Sequence, residues 1–176
     1  MRYNVAQLLK ETTGATREYE LREGANLLAE IPAVVPYVGK LRLVRYGEGI
    51  LAMAALTTTV RLTCGRCLNS FEQALQIEFT ERFRPSVDLA TGNPTEKLDD
   101  DDIFGIDEYH TLDITEAVRQ YALVSLPLSP VCRADCAGLC PVCGRDRNAS
   151  QCGCESAPVD PRLAVLGQLL SDGERS

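Results

Sequence analysis

Ile50-Leu-Ala-Met-Ala-Ala-Leu-Thr-Thr-Thr-Val-Arg-Leu62-Thr-Cys64-Gly-Arg-Cys67-Leu-Asn-Ser-Phe71-Glu-Gln-Ala-Leu75-Gln-Ile77-Glu-Phe79 alternates with a period of two on both sides of a paired-cysteine turn. Ile50, Ala52, Ala54, Leu56, Val60 and Leu62 fall on one side of the first run, with Thr58 its only polar member. Phe71, Leu75, Ile77 and Phe79 share a side of the second run, while Glu72, Gln76 and Glu78 face away. Successive side chains of a strand point to opposite faces, so each run reads as a strand with one buried face. Upstream, Leu41 and Leu43 share a face and Gly47-Glu48-Gly49 turns the chain. Residues 37–83 therefore predict three strands in a twisted antiparallel meander, long enough to curl toward a partly closed barrel.

Helical spacing takes over outside that block. Asn4 with Gln7 three residues later forms a capping-box pattern ahead of Val5, Leu8 and Leu9, and Thr13-Gly14 ends that short helix. Residues 17–21 predict an edge strand, whereas residues 27–31, ahead of Pro32 and Pro36, are ambiguous and stay unassigned. Asp113 with Glu116 predicts the start of a second helix, whose stripe of Ile114, Ala117, Val118, Tyr121, Ala122 and Val124 would cover the sheet before Pro127 stops it. Asp160 and Pro161 predict the start of a terminal helix bearing Leu163, Leu166 and Leu170. Residues 85–108 set Glu96, residues 99–102, Asp107 and Glu108 against Lys97 alone, a mobile acidic loop by composition. The expected class is α+β: an antiparallel meander packed by short helices in residues 1–128, a Cys-rich zinc-knuckle appendage at 129–157, and a helix at 158–172 packing back on the main domain.

Six of the eight cysteines lie between Cys132 and Cys154. Cys140-Pro-Val-Cys143-Gly144 has the form in which two thiolates grip one Zn2+ from a tight turn, with Gly144 free to take the left-handed conformation as the chain leaves. Cys152-Gly-Cys154 returns two more thiols. Cys132, Cys136 and Cys140 are spaced as on a helix, but Pro130, Gly138 and Pro141 make an irregular knuckle the better reading. Cys64-Gly-Arg-Cys67 sits where a hairpin turn is expected. It reads as a second knuckle, as a dithiol redox motif, or as a buried unmetallated pair. Counting favours two four-thiolate zinc sites, and one at minimum: Cys140, Cys143, Cys152 and Cys154 for one, Cys64, Cys67, Cys132 and Cys136 for the other. The latter would staple the hairpin tip to the segment after the second helix.

With 25 acidic and 18 basic residues the chain carries a formal charge of −7, so it has no general field for polyanions and a basic protein is the easier partner. The first residues carry no secretory pattern and no apolar run reaches membrane-spanning length, so a cytoplasmic protein with no membrane partner is expected. Reducing conditions there disfavour disulfides and leave the thiols to metal or redox work. One histidine, no phosphate-cradling glycine loop and no nucleophile elbow argue against an enzyme or a small-molecule substrate. Arg61, Arg66, Arg82 and Arg84 could crowd the sheet end near the first knuckle, and Arg133, Arg145 and Arg147 decorate the second, a candidate surface for RNA or another partner.

Asn4-Val-Ala-Gln-Leu-Leu-Lys10 with Thr16-Arg-Glu-Tyr19, Cys64-x-Arg-Cys67-Leu-x-x-Phe71, Ala122-Leu-x-x-Leu126-Pro127, Leu139-Cys-Pro-x-Cys-Gly144, Cys152-x-Cys154 and Asp160-Pro-Arg-Leu163 together resemble the bacterial YceD family, domain of unknown function 177. The resemblance touches nearly the whole chain in order. It implies a role in accumulation of large-subunit ribosomal RNA and, from the usual gene neighbourhood, a link to a small basic large-subunit ribosomal protein. Some branches of the family lack the late cysteine cluster, which implies that metal stabilises this version rather than performing the shared task. The expected function is that of a non-catalytic ribosome-assembly factor that binds a basic ribosomal protein or nascent ribosomal RNA. A zinc-thiolate redox sensor or regulatory binding protein is the alternative.

Overall fold

Alternation along the chain becomes alternation of burial. In the computed structural model, which describes residues 1–88, 93 and 104–154, the elements are β1 (Arg2–Asn4), α1 (Ala6–Lys10), β2 (Thr16–Glu23), β3 (Tyr37–Tyr46), β4 (Gly49–Thr63), β5 (Ser70–Pro85), β6 (Phe104–Ile106), β7 (Thr111–Asp113) and α2 (Thr115–Ser125). Ile50, Ala52, Ala54, Leu56 and Val60 of β4 are buried, as are Leu75, Ile77, Phe79 and Phe83 of β5. Each Val, Leu, Ile or Phe side chain among them contributes about 1.5–3 kcal/mol on removal from water. Thr58 is buried among them because its hydroxyl donates to the Val35 carbonyl at 2.8 Å, which satisfies the one polar group on that face.

Among the described residues the strands form one curled, mixed sheet in the order β1-β7-β6-β5-β4-β3-β2. The stretch predicted as an edge strand is β2, at one margin, antiparallel to β3. At Gly39, opposite Leu56 in the β3–β4 register, an added Cβ would lie 2.0 Å from the Ala55 carbonyl oxygen, so only glycine fits that close approach.

Two expectations about the sheet change. The purely antiparallel meander does not continue past β5, because β5 pairs in parallel with β6 through Phe83↔Phe104, Arg84↔Gly105 and Pro85↔Ile106. Parallel neighbours need a crossover of a dozen or more residues, and in sequence the residues between Pro85 and Phe104 fall in that connection. Its far end is tied down by apolar contacts: Ile106 is fully buried and the Phe104 ring stacks on Phe83 at 5.2 Å between centroids. The segment just before α2 adds β7, which pairs with the N-terminal β1. The acidic run at 99–102 and the expected helix at 158–172 lie outside the described residues.

Both helix starts also differ from the expectation in the same way. Asn4 Oδ1 accepts from the Ala6 amide at 3.2 Å and Asp113 Oδ1 from the Thr115 amide at 2.9 Å, yet the residue ahead of each helix is Val5 or Ile114. Each polar side chain therefore closes a turn one position earlier, and frees Val5 and Ile114 to be buried. Glu116 does not fold back to the helix start but receives the Arg119 guanidinium at 2.6 Å. α2 covers β5 with Ala117, Val118 and Ala122 buried, and the Tyr121 ring stacks on Phe79 at 5.3 Å.

The chain divides into two compact units, the first made of Met1–Leu62 and Ser70–Pro130. The hairpin tip Thr63–Asn69 separates from the strands that carry it and joins residues 131–154 as the second unit. The tip carries Cys64 and Cys67 and the later segment carries the other six thiols.

Candidate metal centres

The two paired-cysteine turns have one backbone design. In the first, the Cys64 amide donates to the Asn69 carbonyl at 2.9 Å and the Leu68 amide donates back to the Cys64 carbonyl at 3.0 Å. In the second, the Cys140 amide donates to the Arg145 carbonyl at 2.8 Å and the Gly144 amide to the Cys140 carbonyl at 2.8 Å. The residue after the second cysteine must then be left-handed, and Gly144 has φ +71° as its sequence predicts. At the matching position of the first turn stands Leu68, with φ +59°. The turn aims amide groups at sulfur, and the Arg66 amide donates to Cys64 Sγ at 3.4 Å.

The eight sulfurs group in the partition expected from the sequence. Cys64, Cys67, Cys132 and Cys136 form one set and Cys140, Cys143, Cys152 and Cys154 the other, with all ligand atoms of a set within 4.8 Å of one another. Cys64 and Cys136 sulfurs are 3.9 Å apart, and Cys67 and Cys132 sulfurs 3.8 Å. A tetrahedron with metal–sulfur bonds of about 2.3 Å has edges of about 3.8 Å, so these spacings fit four thiolates around one ion. All eight cysteines are free of disulfides. Each set could hold a metal ion.

Proton affinities within each set show why four neighbouring sulfurs call for a cation. Amide groups of Cys132 and Cys67 hold Cys64 down at about 6, while burial and the Cys136 thiol push Cys132 up to about 12. In the other set, the Cys143 and Val142 amides hold Cys140 down at about 6, and the Cys143 side chain, then burial, pushes Cys154 up to about 12. Four like charges this close do not form together in the absence of a counter-charge, which a divalent ion supplies.

The sets differ in exposure. Cys64, Cys67 and Cys136 are buried and Cys132 half-buried, whereas Cys143 and Cys154 are exposed, Cys152 half-buried and only Cys140 buried. A cleft of about 470 Å³ opens on the second set, lined by Cys140, Cys152 and Cys154 with Val142, Arg147 and Gln151.

Polar side chains that no spacing rule marks brace the first set. Asn148 donates its amide N–H to Cys136 Sγ at 3.4 Å and to Asp146 Oδ1 at 2.7 Å, while its oxygen accepts from the Ala137 amide at 2.9 Å and the Arg133 guanidinium at 2.8 Å. Asp146 in turn accepts from Asn69 at 3.0 Å. Sequence reading missed Asn69, Asp146 and Asn148, which sit in polar turns with nothing to distinguish them from solvated loop.

The predicted arginines have different partners within each unit. Arg66 donates to the Ala134 and Cys136 carbonyls at 3.2 and 3.1 Å, so it staples its own turn to the later segment. Arg61 pairs with Glu72 at 2.9 Å. Arg82 and Arg84, expected near the first knuckle, lie at the far end of β5: Arg82 stacks over Tyr46 at 5.2 Å and Arg84 meets Glu48 at 3.9 Å, both beside the β3–β4 turn. A strand of this length carries its last residues away from the tip. Arg133 pairs with Asp135 at 3.4 Å, while Arg145 and Arg147 are exposed in the second unit.

Among the described residues, no helix is long and apolar enough to cross a membrane. Residues 53–170 match the sequence model of a family described as "Large ribosomal RNA subunit accumulation protein YceD". The chain is similar to the "Uncharacterized protein Rv2926c" of Mycobacterium tuberculosis (strain ATCC 25618 / H37Rv), 36% identical over 74% of this chain and 60% of that one. It is also similar to the "Uncharacterized protein ML1660" of Mycobacterium leprae (strain TN), 26% identical over 77% of this chain and 64% of that one. With the "Uncharacterized protein YlbN" of Bacillus subtilis (strain 168) it shares 25% identity over 99% of this chain and 97% of that one. The chain thus spans about 60% of the length of the Mycobacterium tuberculosis relative. No solved structure matches.

Proposed function

Because the chain belongs to the YceD family, we propose that it is a non-catalytic assembly factor that helps large-subunit ribosomal RNA accumulate. The single observation that carries this reading is the family match, whose residues 53–170 take in most of the β4–β5 hairpin, α2 and every cysteine. The family's description ties it to large-subunit ribosomal RNA. Binding of a basic large-subunit ribosomal protein, or of nascent ribosomal RNA, is the step through which the protein would act.

Zinc is the ion we assign to both four-sulfur sets. Thiolate donors select soft or borderline ions, and Zn2+ with four sulfurs is a closed site with no position left for substrate or water. Such an ion shapes the second unit rather than reacting, which is consistent with an absence of catalysis. Two tetrathiolate sites add negative charge to a chain already at −7, and this favours a basic protein as partner. Arg145 and Arg147 offer a local exception where RNA phosphate could be met.

Depletion of the protein is expected to lower large-subunit relative to small-subunit ribosomal RNA, and the tagged protein is expected to sediment with immature large-subunit particles or to capture one basic ribosomal protein. A deletion strain with normal subunit ratios and normal precursor levels, including in the cold, would refute the proposal.

A further inference from the structure

The two sulfur sets are equal in chemistry and unequal in access. In the first set Cys64 is fully buried and Cys136 is 4% exposed, and Asn148 and the amide of Arg66 occupy directions from which a reagent would approach sulfur. In the second, Cys143 and Cys154 are exposed with their sulfurs inside the 4.8 Å grouping, and a cleft of about 470 Å³ is lined by Cys140, Cys152 and Cys154 of the same set. We propose that the second set is a modification site, at which a small two-electron oxidant such as hypochlorous acid joins Cys143 to Cys154 and releases that set's metal ion while the first set keeps its own. The inference rests on the reading of both sets as zinc sites.

The chemistry balances without any group from the protein beyond the two thiolates. One sulfur attacks the chlorine of hypochlorous acid and releases hydroxide, giving a sulfenyl chloride. The second sulfur attacks the first, forms the S–S bond and expels chloride. Two thiolates lose two electrons in all, the chlorine gains them, and a proton from solvent turns hydroxide into water. A disulfide sulfur carries no thiolate charge, so the ion keeps only Cys140 and Cys152, half of a tetrahedral set. The first set reacts later, because three of its four cysteines, Cys64, Cys67 and Cys136, are buried and Cys132 is half-buried. The sites also differ in span: Cys64 and Cys136 are 72 residues apart, so freeing that ion disconnects distant segments, whereas the second set lies within residues 140–154 and opens locally.

The test uses the full chain purified without chelator. Its zinc content is measured first, by elemental analysis, and two ions per chain verifies the zinc reading independently of any oxidation. One equivalent of hypochlorous acid is then added with a chromogenic zinc indicator, and the cysteines are mapped by differential alkylation and peptide mass spectrometry. The expected result is loss of one of the two ions, a Cys143–Cys154 disulfide, and reversal by a thiol reductant plus Zn2+. Release of both ions together, release of neither, or oxidation of Cys64, Cys67, Cys132 or Cys136 ahead of the second set would overturn the inference in a fully loaded protein. A variant with Cys140, Cys143, Cys152 and Cys154 all changed to Ser is expected to hold one ion and keep it under the same treatment; rapid loss from that variant would also overturn the inference.

Discussion

Leu68 and Gly144 occupy the same place in two copies of one turn, and only one of them suits it. A left-handed backbone costs a non-glycine residue roughly 1–2 kcal/mol, because Cβ crowds the following carbonyl. Leu68 is 63% exposed, so packing returns little of that cost. Leu68→Gly should therefore raise stability by about 0.5–1 kcal/mol once the greater unfolded-state freedom of glycine is subtracted. Gly144→Ala should lower it by about 1 kcal/mol through backbone strain alone, since an added Cβ there meets nothing within 4 Å. Denaturant midpoints of the metal-loaded proteins check both, and opposite signs are the decisive feature. Asn148 acts through Cys136 rather than on metal directly. Outer hydrogen-bond partners of this kind typically change metal affinity by about 10–100-fold. Asn148→Ala should weaken the first set's affinity by that order and leave the second set's unchanged, as read by competition with a zinc chelator.

Turns that precede the helices carry the next level of organisation. Asp113 ties β7 to the start of α2, and its carboxyl is held at about 2: burial works against ionisation, but hydrogen bonds from the Thr115 hydroxyl and amide and from Arg2 outweigh it. An unfolded aspartate titrates near 3.9. A folded value below the unfolded one means that this contribution is complete above about pH 4 and is lost as pH falls through about 2. Asp113 is 41% exposed, so the effect is modest. Wild type and Asp113→Asn should differ most in unfolding midpoint near pH 5 and converge toward pH 2; acid release of metal is common to both and cancels in the difference. A constant gap across that range would show that the charge is not what matters. Elsewhere the elements explain why the arginines scatter, because Arg61 sits near the tip of the β4–β5 hairpin and Arg82 and Arg84 near its base.

At the scale of the molecule, the two units are held together internally by different physics. The main apolar cluster, from Val5 to Ala122, draws its buried members from the first unit, whereas the buried apolar side chains of the second among the described residues are Cys64, Cys67, Cys136 and Cys140. On the proposed reading, a metal ion in each set would stand in for an apolar core there, and its binding would be folding free energy. Chelation should thus abolish hydrogen-exchange protection in residues 63–69 and 131–154 while the buried strands of the first unit stay protected; loss of protection in both together would contradict two separately supported units. Much of this was legible in the chain itself. A period of two places Ile50 to Val60 and Leu75 to Phe83 on a buried face, and Cys-x-x-Cys-Gly dictates the knuckle at Gly144, since both rules act between near neighbours. Tertiary structure alone decided the parallel pairing of β5 with β6, the left-handed Leu68, the support from Asn148 and the unequal exposure of the two sets. These depend on which distant residues meet, and a residue's own neighbours in sequence carry no record of the partner that will bury it, brace it or leave it open to solvent.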